Sequence, residues 1–382
     1  MKNIPMVDLQ GQYQKIKSQI NKGFQEVLDS SYYIGGEKVK NFGLELSCYL
    51  NVMHVIPCAN GTDALQIALM ALDLQPGDEV ITTPFTFVAT AEVIALLKLK
   101  PVFVDVHPDT FNINENLIEE AITEKTKCII PVHLFGQGAN MELIMEIANR
   151  HNLFVVEDNA QAISADYIFQ NGERKKLGTI GHIGTTSFFP SKNLGCYGDG
   201  GAIFCNDEKL ATKIRKICNH GSTIKYYHDE IGVNSRLDAL QAVVLEVKLK
   251  YLDEYCKSRQ RAAAYYSQLL DNEDGITIPK EAKYSTHVYH QYTLIIDDNR
   301  DEVAAKLKEK GIPTGIYYPV PLHQQKAYIC DDFQKKGFPI SEMLSQKVLS
   351  LPMHTELDNE TQNYIILSLI HISEPTRPER IS

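Results

Sequence analysis

Leu153-Phe154-Val155-Val156-Glu157-Asp158-Asn159-Ala160-Gln161 is the stretch that decides the fold. Four apolar residues end abruptly in two carboxylates. The run is too short for a buried helix and reads as a buried strand that delivers an acid at its C-terminal end. Three earlier runs share this character: Glu79-Val80-Ile81-Thr82-Thr83, Pro101-Val102-Phe103-Val104-Asp105 and Lys127-Cys128-Ile129-Ile130-Pro131-Val132. Between them, residues 88–97, 116–123 and 141–151 fit helices, and residues 62–74 carry apolar side chains at helical spacing. Strands alternating with helices predict βαβ units, a mostly parallel central sheet with helices on both faces, and ligand sites at the strands' C-terminal ends.

Outward from this α/β core, residues 12–50 read as helical, residues 187–189 and 202–206 as further strands, and residues 235–253 as one long helix. Beyond residue 257 the spacing changes. A strand at 292–296, a helix at 302–310 and the Pro-rich Tyr318-Pro319-Val320-Pro321 predict a smaller α+β domain. The expected division is a large domain at 1–255 and a small C-terminal domain at 256–366. Residues 367–377 match the translation of a common transposon-based sequencing adapter, the next three have the length of an index read, and Ile381-Ser382 would continue the adapter. They are expected to be a non-native tail that replaces the native chain after about Ile366, and they carry no weight in the fold reading.

A chain of 382 residues can bury a sizeable core. Its net charge of −10 argues against a nucleic acid or an anionic membrane as partner. The Met1-Lys2-Asn3-Ile4-Pro5 start has no signal-peptide core, and no apolar run is long enough to span a bilayer. Eight cysteines are scattered without C-x-x-C spacing, which predicts reduced thiols in a cytoplasmic protein and no metal site.

The chemistry points to one lysine. In Ser187-Phe188-Phe189-Pro190-Ser191-Lys192-Asn193-Leu194-Gly195 an apolar run ends, Lys192 follows, and the glycines of Gly198-Asp199-Gly200-Gly201 keep the backbone thin. A lysine against apolar surroundings shifts toward its neutral amine, the form that attacks a carbonyl to make a Schiff base. Lys192 together with Asp158, an acid able to hold a protonated pyridine nitrogen, is the minimum equipment for pyridoxal 5'-phosphate (PLP) chemistry. Gly61-Thr62 sits where a loop opens a helix, so backbone amides and the Thr62 hydroxyl can hold a phosphate.

Five motifs occur in order: Asn60-Gly61-Thr62-Asp63-Ala64-Leu65, Thr86-Phe87-Val88-Ala89-Thr90, Glu157-Asp158-Asn159-Ala160-Gln161, Ser187-Phe188-Phe189-Pro190-Ser191-Lys192 and Gly232-Val233-Asn234-Ser235-Arg236-Leu237-Asp238. From about Val7 to Ile366 this resembles the DegT/DnrJ/EryC1/StrS family of sugar aminotransferases. The resemblance implies a fold-type-I PLP-dependent transferase working in the cytoplasm as a homodimer with shared active sites. It implies that Phe87 stacks on the pyridine ring, Asp158 pairs with the ring nitrogen, and Gln161 lies near the phenolic oxygen. Ser187 would donate to the phosphate. Lys192 would hold the cofactor and then move the proton. Asn234 would reach the neighbouring subunit's phosphate and Arg236 its substrate.

The resemblance further implies L-glutamate as amino donor and a nucleotide-linked ketosugar as acceptor, for cell-surface polysaccharide or glycan biosynthesis. Cys58–Ile67, Gly195–Phe204 and Tyr317–His323 look closest to enzymes acting at C3. The acceptor is then a UDP-2-acetamido-3-keto-hexuronate or a dTDP-3-keto-6-deoxyhexose, with Arg236, Tyr318 and His323 lining the sugar pocket. Two other readings share the fold. One is a non-catalytic regulatory or binding protein. The other is a different fold-type-I PLP reaction, such as a desulfurase using Cys330.

Overall fold

The computed structural model describes residues 4–328 and 337–373. The strands that the sequence picks out are β1 (His54–Cys58), β2 (Glu79–Thr82), β3 (Lys100–Phe103), β4 (Thr126–Ile129) and β5 (Phe154–Asp158). A small hairpin follows, β6 (Asp166–Ile168) and β7 (Arg174–Lys176), and then β8 (Ile183–Ser187) and β9 (Gly201–Cys205). Seven of these form one sheet in the order β1-β9-β8-β5-β4-β2-β3. All neighbours from β8 to β3 pair in parallel, and β9 alone runs antiparallel, to both β8 and β1.

Consecutive strand residues face opposite ways, and each face has its own core. Ile81, Ile129, Val155 and Phe204 pack with helices Gly36–Leu50, Met141–His151 and Ala239–Leu249. Val80, Cys128, Val156 and Ile203 pack with helices Gly61–Ala71, Ala89–Leu96 and Glu208–Cys218. The near-continuous apolar strands are those of a sheet buried on both sides. The C-terminal ends of β5 and β8 bring Asp158 and Ser187 to one edge.

A second core belongs to the C-terminal part. The antiparallel sheet β10 (Ile276–Thr277), β11 (Tyr292–Ile296) and β12 (Val348–Leu351) packs with helices Arg300–Glu309 and Asn359–Ser373 through Leu294, Leu307, Leu349, Ile365 and Leu369. Helix Leu252–Leu270 joins the two cores: Leu252 and Cys256 lie in the first, Ala262, Tyr266 and Leu270 in the second. The boundary expected at 255/256 falls inside this helix. Residues 367–373 continue the last helix, and residues 374–382 of the expected tail, like Cys330, lie outside the described residues.

Three expectations are corrected. Residues 235–238 are extended rather than helical, because Ser235 Oγ accepts from the Ala59 amide (3.1 Å) and the Ala239 amide bonds the Tyr33 carbonyl (2.8 Å). The helix then starts at Ala239 and breaks at Lys250–Tyr251 before the next one begins. Residues 116–123 form two 3-10 turns, Glu115–Leu117 and Glu119–Ala121. The strand expected at 187–189 ends at Ser187.

Asp105, just past β3, ties the two parts together. Its carboxylate accepts from the Ile340 and Ser341 amides (both 2.9 Å) and the Ser341 hydroxyl (2.6 Å), capping helix Pro339–Lys347 from a distant part of the chain. Asp105→Ala therefore leaves buried donors unpaired and is expected to cost about 2 kcal/mol of stability. Urea unfolding checks this, and Asp105→Asn, which keeps an acceptor oxygen, should lose less.

Candidate active site

The site is built where β1, β5 and β8 end. At β1, Asn60 caps helix Gly61–Ala71, its side-chain oxygen accepting from the Asp63 amide (2.7 Å). Among the described residues nothing accepts from the Gly61 and Thr62 amides, so two orphan donors and the positive helix end face the cavity. Gly61 must be glycine for this approach: a Cβ there would sit 2.6 Å from Ser187 Cβ. Ser187 Oγ accepts from the Phe189 amide (3.3 Å), which leaves its O–H free to donate. The amides and the hydroxyl make a cradle for a phosphate.

Asp158 is fixed from two sides. The Thr90 hydroxyl donates to Oδ2 (2.8 Å) and the Ala160 amide to Oδ1 (3.2 Å), so the carboxylate cannot rotate freely. Gln161 is also oriented. The Phe135 amide donates to its Oε1 (2.8 Å), and its Nε2 donates to the Tyr318 hydroxyl (3.0 Å), leaving one amide hydrogen for the cavity. Phe135 holds its amide there at φ 57°, a left-handed conformation that is unusual for an aromatic residue.

Lys192 is half-buried on a tight turn, its amide bonding the Phe189 carbonyl (2.8 Å). Burial pushes its amine down to about 8, against an opposing pull from the Asp158 carboxylate. The neutral, nucleophilic form is therefore well populated near neutral pH. Phe87 lines the same cavity with 55% of its surface exposed, its ring tilted 44° to that of Tyr318 at 6.4 Å.

The cavity has a volume of about 880 Å3 and brings together Gly61, Thr62, Phe87, Asp158, Gln161, Ser187, Lys192 and Tyr318. Its outline suits a cofactor with a phosphate and a planar ring, plus a second molecule. Asn234 and Arg236 are exposed and lie outside it. His323 is also outside. Its Nε2 bonds Glu342 Oε1 (3.0 Å) and its ring lies against Phe338, while its Nδ1 is buried without a partner among the described residues.

Sequence reasoning missed Thr90, Tyr317, His290 and Gln291. Thr90 was in a recognised motif, and Tyr317 adjoined an expected pocket residue; nothing local marked His290 except its place just before β11. Among the described residues, no cysteine lines the cavity and no helix is long and apolar enough to cross a membrane.

A model described as the DegT/DnrJ/EryC1/StrS aminotransferase family matches residues 14–370. The chain belongs to this family. It is 50% identical to a pleiotropic regulatory protein of Geobacillus stearothermophilus over 95% of this chain and 97% of that one. It is 46% identical to the UDP-2-acetamido-2-deoxy-3-oxo-D-glucuronate aminotransferase of Pseudomonas aeruginosa, over 96% and 99%. Identity is 40% to the dTDP-3-amino-3,6-dideoxy-alpha-D-galactopyranose transaminase of Aneurinibacillus thermoaerophilus, over 95% and 98%. A solved structure of NtdA from Bacillus subtilis with bound cofactor PMP superposes with a TM-score of 0.88 at 32% identity, over 98% of this chain and 86% of that one. The chain is an aminotransferase, its cofactor is PLP, and the cradle, the exposed Phe87 face and the Lys192–Asp158 pair fit that group.

Two outcomes are expected. The rate at which the cofactor-free aminotransferase captures added PLP should rise with pH through about 8, far below the ordinary lysine value of 10.5, because only the neutral amine attacks. Stopped-flow absorbance measures this, and Lys192→Ala should abolish it. Thr90→Val, which keeps the shape but removes the donor to Asp158, should lower kcat about tenfold. Steady-state kinetics test this, with Thr90→Ser restoring most of the loss.

Proposed function

We propose that this aminotransferase moves an amino group from L-glutamate to a nucleotide-linked 3-ketosugar, as a cytoplasmic step toward cell-surface polysaccharide or glycan. The observation that carries the reading is Lys192, its amine lowered to about 8, sharing one cavity with Asp158. PLP, when bound, supplies an electron sink for the carbanion left when the donor's α-proton departs. Asp158 would keep the ring nitrogen protonated, Phe87 would stack on the ring, Gln161 would donate to the phenolic oxygen, and Gly61, Thr62 and Ser187 would hold the phosphate. Lys192 would hold the cofactor and, once freed from it, would take the proton from the donor carbon and hand it on.

Between acceptors, a UDP-linked 2-acetamido-3-keto-hexuronate is favoured over a dTDP-linked 3-keto-6-deoxyhexose. The relative named for the former is 46% identical and the one named for the latter 40%. Tyr318 lines the sugar end of the cavity.

The active enzyme is a homodimer in this reading. Lys192 is the one cation lining the cavity among the described residues, too little for a cofactor phosphate and a nucleotide diphosphate. Asn234 and Arg236, exposed beside the equally exposed Ile224, Tyr226, Tyr227 and Ile231, would complete the neighbour's site. A ribbon held tight at Gly221 and Gly232 presents this apolar face, and a Cβ on either glycine would collide with backbone of the opposite strand.

A regulatory role is the second reading, favoured by the name of the 50% identical relative. One experiment separates the two. L-glutamate added to the PLP-loaded protein should bleach the band of the lysine-bound cofactor, and a UDP- or dTDP-linked 3-ketosugar should restore it. A protein that carries PLP but does not respond to glutamate overturns transamination from that donor. Mixing inactive Lys192→Ala with inactive Asn234→Ala subunits should recover activity in hybrid dimers; confirmed hybrids without activity would remove Asn234 from the partner's site.

A further inference from the structure

Gln161 and Tyr318 form one hydrogen-bonded pair, and each keeps a hydrogen to give. The Gln161 side-chain oxygen is taken by the Phe135 amide (2.8 Å), so its nitrogen must be the donor toward the Tyr318 hydroxyl oxygen (3.0 Å). The tyrosine accepts in this bond, and its own O–H is left over. Among the described residues nothing accepts from that hydroxyl or from the second hydrogen of Gln161 Nε2, and both side chains line the cavity.

Neither side chain is free to turn away. The Tyr318 ring packs edge-on against the fully buried Phe85 (6.2 Å, 76°) and lies 6.4 Å from Phe87. Before it, Gly315 exchanges two backbone hydrogen bonds with Ser350 (3.0 and 2.7 Å). After it, the Leu322 amide bonds the carbonyl of Pro84, the neighbour of Phe85 (2.8 Å). Burial pushes the Tyr318 phenol up from its ordinary 10, so the hydrogen stays on the oxygen at neutral pH. Two donor atoms 3.0 Å apart, each with one spare hydrogen, can both reach a single acceptor oxygen. Paired donors of this kind favour an oxygen that carries negative charge.

In the proposed function Gln161 donates to the phenolic oxygen of PLP. We propose that the Tyr318 hydroxyl is the second donor to that oxygen, so that the tyrosine at the sugar end of the cavity gives its hydrogen to the cofactor. A charged phenolic oxygen accepts a hydrogen bond about twice as strong as a neutral sugar oxygen does, which decides between the two acceptors. The proposal rests on the readings of Gln161 as a donor to this oxygen and of Lys192 as the lysine that holds PLP. Its consequence is a shift in one proton equilibrium. Donors aimed at the phenolic oxygen favour it without a proton, so the lysine-bound cofactor loses the proton it shares with that oxygen at a lower pH. The other titratable groups on the cavity wall are Asp158, Lys192, His290 and Tyr317, with Asp63 and Asp199, and the variants below leave all of them in place.

The test uses the full-length protein loaded with PLP, with neither glutamate nor sugar present. The band of the lysine-bound cofactor is titrated with pH in the parent, Tyr318→Phe, Gln161→Met and the double variant. Tyr318→Phe keeps the ring and removes only the hydroxyl. Its midpoint should lie about one pH unit above the parent's, and the double variant's above that of Gln161→Met. With glutamate added, the Phe variant should bleach about tenfold more slowly, with KM for a UDP-linked 3-ketosugar little changed. An unshifted midpoint in the Phe variant overturns the proposal, and a raised KM for the sugar alongside it would give the hydroxyl to the sugar instead. A double variant no higher than Gln161→Met also overturns it, because Tyr318 would then act only by holding Gln161. If Gln161→Met shifts the midpoint alone, the Gln161 reading stands and the proposal falls; if neither single variant shifts it, both fall. A parent that never forms the band removes the Lys192 reading and the proposal with it. A parent that forms the band but ignores glutamate removes transamination from that donor, while the comparison of midpoints still decides the proposal.

Discussion

Glu157 is the side chain on which the geometry of the site depends. It has no solvent exposure, yet its carboxylate is fully occupied. Oε2 accepts from His133 Nε2 and the Gly178 amide (both 2.8 Å), and Oε1 accepts from the Ile180 and Gly181 amides (2.7 and 2.6 Å). The Ala139 amide donates to His133 Nδ1 (3.2 Å), so the ring's proton sits on Nε2 and points at the carboxylate. A buried carboxylate is tolerated only with such a set of donors. The set joins the end of β5 to the loop that feeds β8 and to the segment carrying Phe135. Asp158, Ser187 and Gln161's amide partner therefore take their positions from one residue that never meets a ligand.

Close backbone approach is the second constraint. Gly61 lets the helix end meet Ser187, and Gly136 lets the Phe135 turn meet His290; in both places a Cβ would fall inside 3 Å of its neighbour. Each glycine joins segments far apart in the chain, one across the central sheet and one between the two cores. Helix Leu252–Leu270 and the Arg259 clamp act the same way, because Arg259 also donates to the Met353 carbonyl (3.0 Å). The C-terminal core is thus tied to the cavity wall by polar contacts as well as by a shared helix.

What the sequence made legible follows from this division between local and distant causes. Strand β5, the acid at its end and the lysine after β8 are local patterns, and the two-faced burial of the sheet matches their apolar runs. The helix expected at 235–253 was misread because Ser235 is held to Ala59, 176 residues away, in an extended form that local propensity does not register. Thr90 is the helix residue its surroundings suggest, and its part in the site shows only where its hydroxyl meets Asp158, 68 positions on. His323 was expected in the sugar pocket from the likeness of Tyr317–His323 to enzymes acting at C3; the fold sets it outside the cavity, against the Glu342 carboxylate and the Phe338 ring. His290 had no local signature at all, since the fold alone brings it to the cavity.

The charges behind the Lys192 loop complete the electrostatic argument. Lys248 is buried with its amine on the Gly195 carbonyl (2.7 Å) and over the Tyr197 ring, and burial pushes it down to about 8. Arg259 is buried on three carbonyls, pushed down to about 10 by the same cause. Among the described residues neither meets a carboxylate, so their positive charge is spread over carbonyl dipoles and is not cancelled by an ion. The Lys192 amine is lowered by burial instead, with the Asp158 carboxylate pulling it back toward the charged form. What the cavity offers a phosphate is therefore the Gly61 and Thr62 amides at a helix end and the Ser187 hydroxyl, which is why a neutral lysine and an anionic cofactor suit the same cavity.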